Sequence, residues 1–160
     1  MNNKDLIIPQ QQLDKMAAHL SEAMMIQNPI FGTVQIYNPL TKYLHLVLQN
    51  KETDFFNAHL INVDTTGNSV CSRALRQANQ IMIADIKGDS FFSEIIEIGF
   101  KLDFKALHCT PIFGSHREVI GILTTHFDNN LVLTDLEILN KDLIAAKLAL
   151  SIQESTAIHS

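Results

Sequence analysis

The sequence predicts an α+β fold on an antiparallel sheet with helices flanking it. Three observations predict it. Apolar runs at 31–37 and 43–49, and again at 104–113 and 118–127, are joined by short turn-forming segments, as hairpins require. Both ends of the chain carry helical periodicity instead. The middle mixes helical segments around one strand, without the regular strand–helix alternation of a parallel sheet.

The elements follow in order. Residues 9–27 read as a helix, because Leu13, Met16, Ala17, Leu20 and Met24 recur at spacings of three and four and Pro9 suits a first turn. "NPIFG" ends it, a strand is expected at 31–37, and "NPLTK" supplies the turn into 43–49. In that second strand Leu44, Leu46 and Leu48 alternate with Tyr43, His45 and Val47, and the scarcity of charge implies cover on both faces. "ETDFFNAHL" (52–60) suits a short helix and "VDTTGNS" a loop, with Ser69 as N-cap of a helix through "SVCSRALRQAN". "QIMIAD" is a short buried strand, and "GDSFFSEIIEIGF" a turn leading into a helix. A hairpin around "GSHR" follows, then "DNNLVLTD", where Thr134 or Asp135 caps a last helix to about residue 154.

That last helix carries two apolar stripes. Leu136, Leu139, Leu143, Ala146 and Leu150 form one seam of a/d spacing, and Ile138, Ala145, Ala149 and Ile152 form another. Packing on a sheet needs one stripe. The second is expected to meet a partner subunit, or else the N-terminal helix.

With 160 residues the chain is sized for a single domain, and no repeat, linker or boundary divides it. It is 46% hydrophobic and 18% charged, which suits a packed core. A formal net charge of -5 and the lack of any Lys/Arg run argue against nucleic acid and anionic lipid as partners. The 2 cysteines make no disulfide framework, so a reducing, cytoplasmic setting is expected. "MNNKDLIIPQQQ" has no signal-peptide core, and no run is long and apolar enough to cross a membrane, so no membrane contact is expected of this chain.

Three stretches carry a resemblance. "TTGNSVCSRALRQANQIMIADI" resembles the Gly-Ser-x-Cys-Gly-Arg-Ala segment of GAF domains and the strand after it, which ends in Asp and an apolar residue. "DIKGDSFF" resembles their Asp-Val-x-x-Asp-Pro-x-Phe turn, and "CTPIFGSHREVIGILTTHF" their Ser-x-Pro-Leu hairpin ending in Gly-x-Leu-Ser-x-His-Phe. The likeness spans about residues 30–150, with 9–27 and 134–154 as flanking helices, and is nearest to GAF domains joined to PAS domains and histidine kinases. Ser72 and Ser90 stand where Gly and Pro are usual, and Asn50 where Gly usually ends the second strand, a change tolerable in a left-handed conformation. The resemblance implies a six-stranded antiparallel sheet with helices on both faces. The terminal helices would form a dimer contact on one side, and the middle helices would enclose a small-molecule pocket on the other.

The stretch 108–127 holds His108, Cys109, His116 and His126, which raises the question of a metal site. A turn centred on residues 115 and 116 would put His108 with Thr110 and Leu123 on one face and Cys109 with Thr124 and Ile122 on the other. His126 would share the Cys109 face about four pairs away, with His116 at the tip, so no convergence on one ion is expected. His126 is expected to hydrogen-bond the loop toward the last helix, and His108 either to face the pocket or to be a satisfied core histidine.

Cys71 invites comparison with the free methionine sulfoxide reductases, which share the GAF fold and need an attacking and a resolving thiol. Residues 86–105 contain no cysteine to resolve the intermediate, and "THFDNN" lacks that enzyme's acidic residues. A small core residue is the simpler reading of Cys71. Bilin attachment has the wrong Cys-His order in "HC", cyclic-nucleotide motifs survive only as the fragment "LTDLE", and nothing points to haem. No cofactor is expected.

Asp85 and Asp89 flank a turn and suit loop-shaping roles, and Arg73 can pair with one of them or reach an anionic ligand. Phe55, Phe56, Phe91, Phe92 and Phe100 are expected to cluster under the cover helices and to line any pocket. The candidate pocket is thus Cys71, Arg73, Asp85, Phe91, Phe92, His108 and Thr110. The expectation is a non-catalytic sensory domain that binds an unidentified small molecule, dimerises through its terminal helices and acts on a kinase or other output domain. The polar ending "QESTAIHS" suits either a stand-alone regulator or a piece cut before its effector. The alternatives are a thiol-dependent reductase and a dimerisation module with a vestigial pocket.

Overall fold

A computed structural model describes residues 8–159, with side chains through 155, so the reading of "MNNKDLI" lies outside the described residues. The elements are α1 (Gln10–Ala23), β1 (Phe31–Asn38), β2 (Tyr43–Gln49), α2 (Asp54–His59), β3 (Asn62–Asp64), α3 (Val70–Gln77), β4 (Ile81–Ile83), α4 (Ser90–Glu97), β5 (Ala106–Phe113), β6 (Val119–Phe127) and α5 (Asp135–His159). The strands form one antiparallel sheet in the order β3-β2-β1-β6-β5-β4. The fold is therefore the α+β arrangement expected, with helices on both faces.

Alternation on the central strands feeds two separate cores. On one face Val34, Ile36, Ile112 and Leu123 pack against Met16, Leu20 and Ala23 of α1 and Ile144, Leu148 and Ile152 of α5. On the other, Phe31, Leu44, Leu107, Cys109 and Ile122 pack under Phe55 and Phe56 of α2, Cys71 and Ala74 of α3 and Phe92 and Ile95 of α4. Gly121 lets β1 and β6 close between these layers. A Cβ there would lie 2.5 Å from the Gln35 carbonyl oxygen.

Local chemistry explains the helix starts. Ser69 Oγ accepts from Ser72 N at the head of α3, and Thr53 Oγ1 from Phe56 N at the head of α2. Thr134 and Glu137 form a reciprocal capping box: Glu137 N donates to Thr134 Oγ1 and Thr134 N to Glu137 Oε1. That settles the cap of α5 on Thr134.

Four local expectations are corrected. α1 stops at Ala23 rather than 27, and Gln27 and Asn28 take left-handed φ of 58 and 51°. Asn62–Asp64, read within or beside a loop, pairs with β2 as an edge strand too short to show alternation. In β2 the register shifts opposite Val34/Gln35, so Leu48 joins the α1/α5 core while Leu44 and Leu46 stay in the other. Asn50 does not adopt positive φ; its Oδ1 accepts from Gly32 N and its own N–H donates to Gly32 O, clamping the start of β1.

Candidate functional site

The β5–β6 hairpin pairs His108 with Thr125, Cys109 with Thr124 and Leu107 with His126. It turns through Arg117 at φ 63°, with a register shift between Ile112 and Phe113, so from Ala106 to Ile112 each partner lies two residues beyond the expected one. A shift of two preserves faces and changes neighbours. His126 therefore lies one same-face step from Cys109, not four pairs away.

Those same-face residues floor a small cavity between the sheet and α2, α3 and α4. Gln35, Leu107, Cys109, Thr124 and His126 line it from the sheet, Ser69, Val70 and Cys71 from the start of α3, and Phe55, Leu60, Phe91 and Phe92 from the cover. About 20 Å³ is open to the centre of a water-sized sphere, enough for roughly one water. The cover is an aromatic net: Phe55 meets Phe92 at 5.9 Å with tilted rings and Phe104 edge-to-face at 5.3 Å, and Phe104 meets the His126 ring edge-to-face at 4.7 Å. Phe55, Phe56, Phe91, Phe92 and Phe100 cluster as expected, joined by Phe31 and Phe104.

Both cysteines are buried and free, and both border this cavity. Cys71 Sγ lies 3.3 Å from Ser69 Oγ, and Cys109 Sγ 3.3 Å from Thr124 Oγ1. Burial raises both thiol pKa values, so each sulfur stays protonated near neutral pH. His126, 2% exposed, is pushed down to about 3 by burial, against an opposing hydrogen bond with the Phe31 backbone. Its role is thus to lock β6 to β1, rather than to reach the loop before α5. Its Nδ1 has no partner among the described residues.

Arg73 and Asp89 close one end of α3. Arg73 Nη2 donates to Asp89 Oδ1 at 2.8 Å, with Asp89 only 8% exposed. This pair ties α3 to the start of α4, and neither residue lines the cavity. Asp85 is exposed and accepts from Lys87 N, capping a short 3-10 turn, also away from the cavity. Neither Arg73 nor Asp85 therefore lines this cavity; Asp85 instead borders an open groove of ≈ 640 Å³ with Ile96, Phe100 and Lys105.

His108 and Thr110 are corrected as well. The parity that puts Cys109 in the cavity turns both toward α5. His108 Nε2 donates to Gln80 Oε1 at 2.7 Å, and Gln80 Nε2 donates to Ile138 O at 3.0 Å and Asp142 Oδ1 at 2.7 Å. Beside them Lys141 of α5, 0% exposed, donates through Nζ to Thr125 Oγ1. Burial, then Lys141, drives His108 down to about 3, so it is neutral. His116 sits at the exposed turn. Among the described residues no group of three or more His, Cys, Asp or Glu is placed to hold a metal ion.

Of the expected pocket residues, the structure brings together Cys71, Phe91 and Phe92. It adds Gln35, Ser69, Cys109, Thr124 and His126. The last three were visible as one face of the hairpin; Gln35 had no sequence signal beyond a polar residue in an apolar strand.

No family model matches the chain, and no curated protein matches it in sequence. Solved structures do match. A domain of a proposed two-component sensor histidine kinase from Sinorhizobium meliloti superposes at TM-score 0.70 and 18% identity, covering 91% of this chain and 93% of that one. The type II free methionine-R-sulfoxide reductase of Thermoplasma acidophilum reaches 0.70 at 14%, covering 90% and 93%. The GAF domain of an Acinetobacter phosphoenolpyruvate-protein phosphotransferase gives 0.67 at 9%, covering 95% and 99%. At such identities the likeness speaks of fold alone, and the neighbours include sensory domains and an enzyme. The chain has a GAF-like fold.

Proposed function

We propose that this is a non-catalytic regulatory domain, paired with a second copy through its terminal helices and responsive to a small molecule at the Cys71/His126 cavity. The division of α5 carries the reading. Ile144, Ala145, Leu148, Ala149 and Ile152 are spent in the core, while Leu136, Leu139, Leu143 and Leu150 stand 66, 52, 53 and 63% exposed. Such a seam suits a partner helix, and α5 is the element through which a kinase or other output domain would be driven.

The cavity as it stands admits no metabolite. Entry requires Phe91 and Phe92 to move with α4, so a ligand would favour a second arrangement of the cover helices. A response then needs different affinities for the two arrangements. An apolar body with one group able to bond His126 Nδ1 fits the lining.

One observation favours a second reading: the only two cysteines of the chain border one cavity. Thiol-dependent sulfoxide reduction would convert a sulfoxide and two thiols to sulfide, disulfide and water. Against it stand the burial of both sulfurs, their raised pKa values and a void of roughly one water.

Native mass spectrometry beside a denatured control tests the first reading. A dimer, with or without excess mass, is expected; a bare monomer at micromolar concentration refutes it. Turnover of free methionine-R-sulfoxide with dithiothreitol, abolished by Cys71→Ser, would establish the second.

A further inference from the structure

The exposed seam also carries information about orientation. Resting on the proposed pairing of two copies, we infer that the α5 helices pair parallel and in register, with Asp142 of each chain facing Lys147 of its partner.

The spacing supplies the frame. Leu136, Leu139, Leu143, Ala146 and Leu150 step by three and four residues in strict alternation, so they occupy a and d of two successive heptads and the a position that opens a third. All are exposed, and Ile144, Ala145, Leu148 and Ile152 occupy the opposite side of the helix, in the core. In this frame Asp142 is a g position and Lys147 the e position of the following heptad. Parallel helices bring g of one chain against that e of the other, so each dimer gains two Asp–Lys contacts. Antiparallel helices centred on Leu143 bring g against g and e against e. That sets Asp142 against its own copy and Lys147 against Asn140, a repulsion and a neutral contact.

Both charged groups are accessible. Lys147 has half its side chain exposed and holds Glu22 of α1 at 2.9 Å. Asp142 accepts from Gln80 through one oxygen and keeps the other available. A groove of ≈ 530 Å³ runs beside the seam between α1 and α5, bordered by Glu22, Ile26, Leu143, Ala146, Lys147 and Leu150. A partner's leucine ridge fits there. Exposed ion pairs add little affinity, so their part is to choose between orientations.

Cysteine cross-linking reads the orientation directly. Leu136→Cys and Leu150→Cys are made separately and oxidised with copper phenanthroline; the native thiols are buried. Parallel pairing makes each variant cross-link to itself. If neither does alone but their mixture does, the pairing is antiparallel, which overturns this inference and leaves the dimer standing. If sedimentation shows a single chain and nothing cross-links, both readings fall; a dimer without any cross-link refutes the α5 seam. Charge exchange gives a second reading. Asp142→Lys and Lys147→Asp should each weaken the dimer several-fold, and the double variant should restore it. Weakening that adds instead of cancelling overturns the pairing of these two residues.

Discussion

Replacing Lys141 with methionine should stabilise the protein at neutral pH. Lys141 is fully buried between α5 and the sheet, its Nζ donating to Thr125 Oγ1 and lying 6.0 Å from the Phe127 ring centre. Among the described residues no carboxylate pairs with it; Glu137 stands one turn back on α5, and His108 beside it is neutral. Burial lowers its pKa from 10.5 to about 7. The sign follows from linkage. Below pH 7 both folded and unfolded lysine carry the proton, and the fold bears the full cost of the buried charge. Between about 7 and 10.5 the unfolded chain holds the proton and the folded one does not, so stability rises with pH. A shift of that size corresponds to about 5 kcal/mol at 1.36 kcal/mol per unit. Methionine removes it but leaves Thr125 without its donor, a loss of about 1–3 kcal/mol. The net expectation at pH 7 is a gain of about 2–4 kcal/mol. Urea unfolding followed by circular dichroism at pH 7, 8 and 9 checks it. The wild-type should gain about 1.4 kcal/mol per pH unit relative to the variant across this window. Parallel pH profiles, or a variant less stable at pH 7, would refute the assignment of a strained buried charge.

Three further outcomes follow from other parts of the fold. Cys71 and Cys109 should resist Ellman's reagent at pH 8 in the native protein and react at once in urea, because burial raises both thiols; rapid native labelling would contradict the closed cavity. Phe92→Ala should cost about 3–5 kcal/mol in urea unfolding while opening the cavity, so that benzene or xenon raises the variant's Tm and leaves the wild-type unmoved. Gly121→Ala should cost several kcal/mol, since its Cβ would press at 2.5 Å on a backbone oxygen; a change under about 1 kcal/mol would show that β1 and β6 separate easily.

The elements were largely legible because their signals are local. Ser69 and Thr134 announce α3 and α5 through side chains that reach only three residues, and the apolar stripes of α5 are a property of one helix. The faces of β5 were legible for a different reason: the turn was misplaced by an amount that shifts partners by two, and a period of two restores each residue to its side. What that shift spoiled was distance along the strand, hence the misjudged separation of Cys109 and His126. The candidate site fared worse because its geometry is not local. Nothing in "DIKGDSFF" shows that Asp89 turns inward to Arg73 while Asp85 stays in solvent. His108 looked like a pocket residue because motif resemblance locates a strand but does not decide which side chain faces which layer.

The two layers meet in β5 and β6. His108 and Cys109 are consecutive, and so are Thr124 and Thr125, yet one of each pair touches the cavity and the other touches α5 or its neighbour Gln80. A ligand that displaced Cys109 or Thr124 would move the backbone that carries His108 and Thr125. The consequence depends on what holds α5. Apolar side chains of the Ile144–Ile152 stripe tolerate small slides, since dispersion contacts have no direction. The bonds from Gln80 to Ile138 O and Asp142, and from Lys141 to Thr125, do have direction, and stretching the last of them past hydrogen-bond range leaves the buried Lys141 donor orphaned. α5 should therefore hold its place until these bonds exchange. Asp142, bound to Gln80 on its own chain and assigned to Lys147 on the partner, is the residue at which such an exchange would reach the dimer seam.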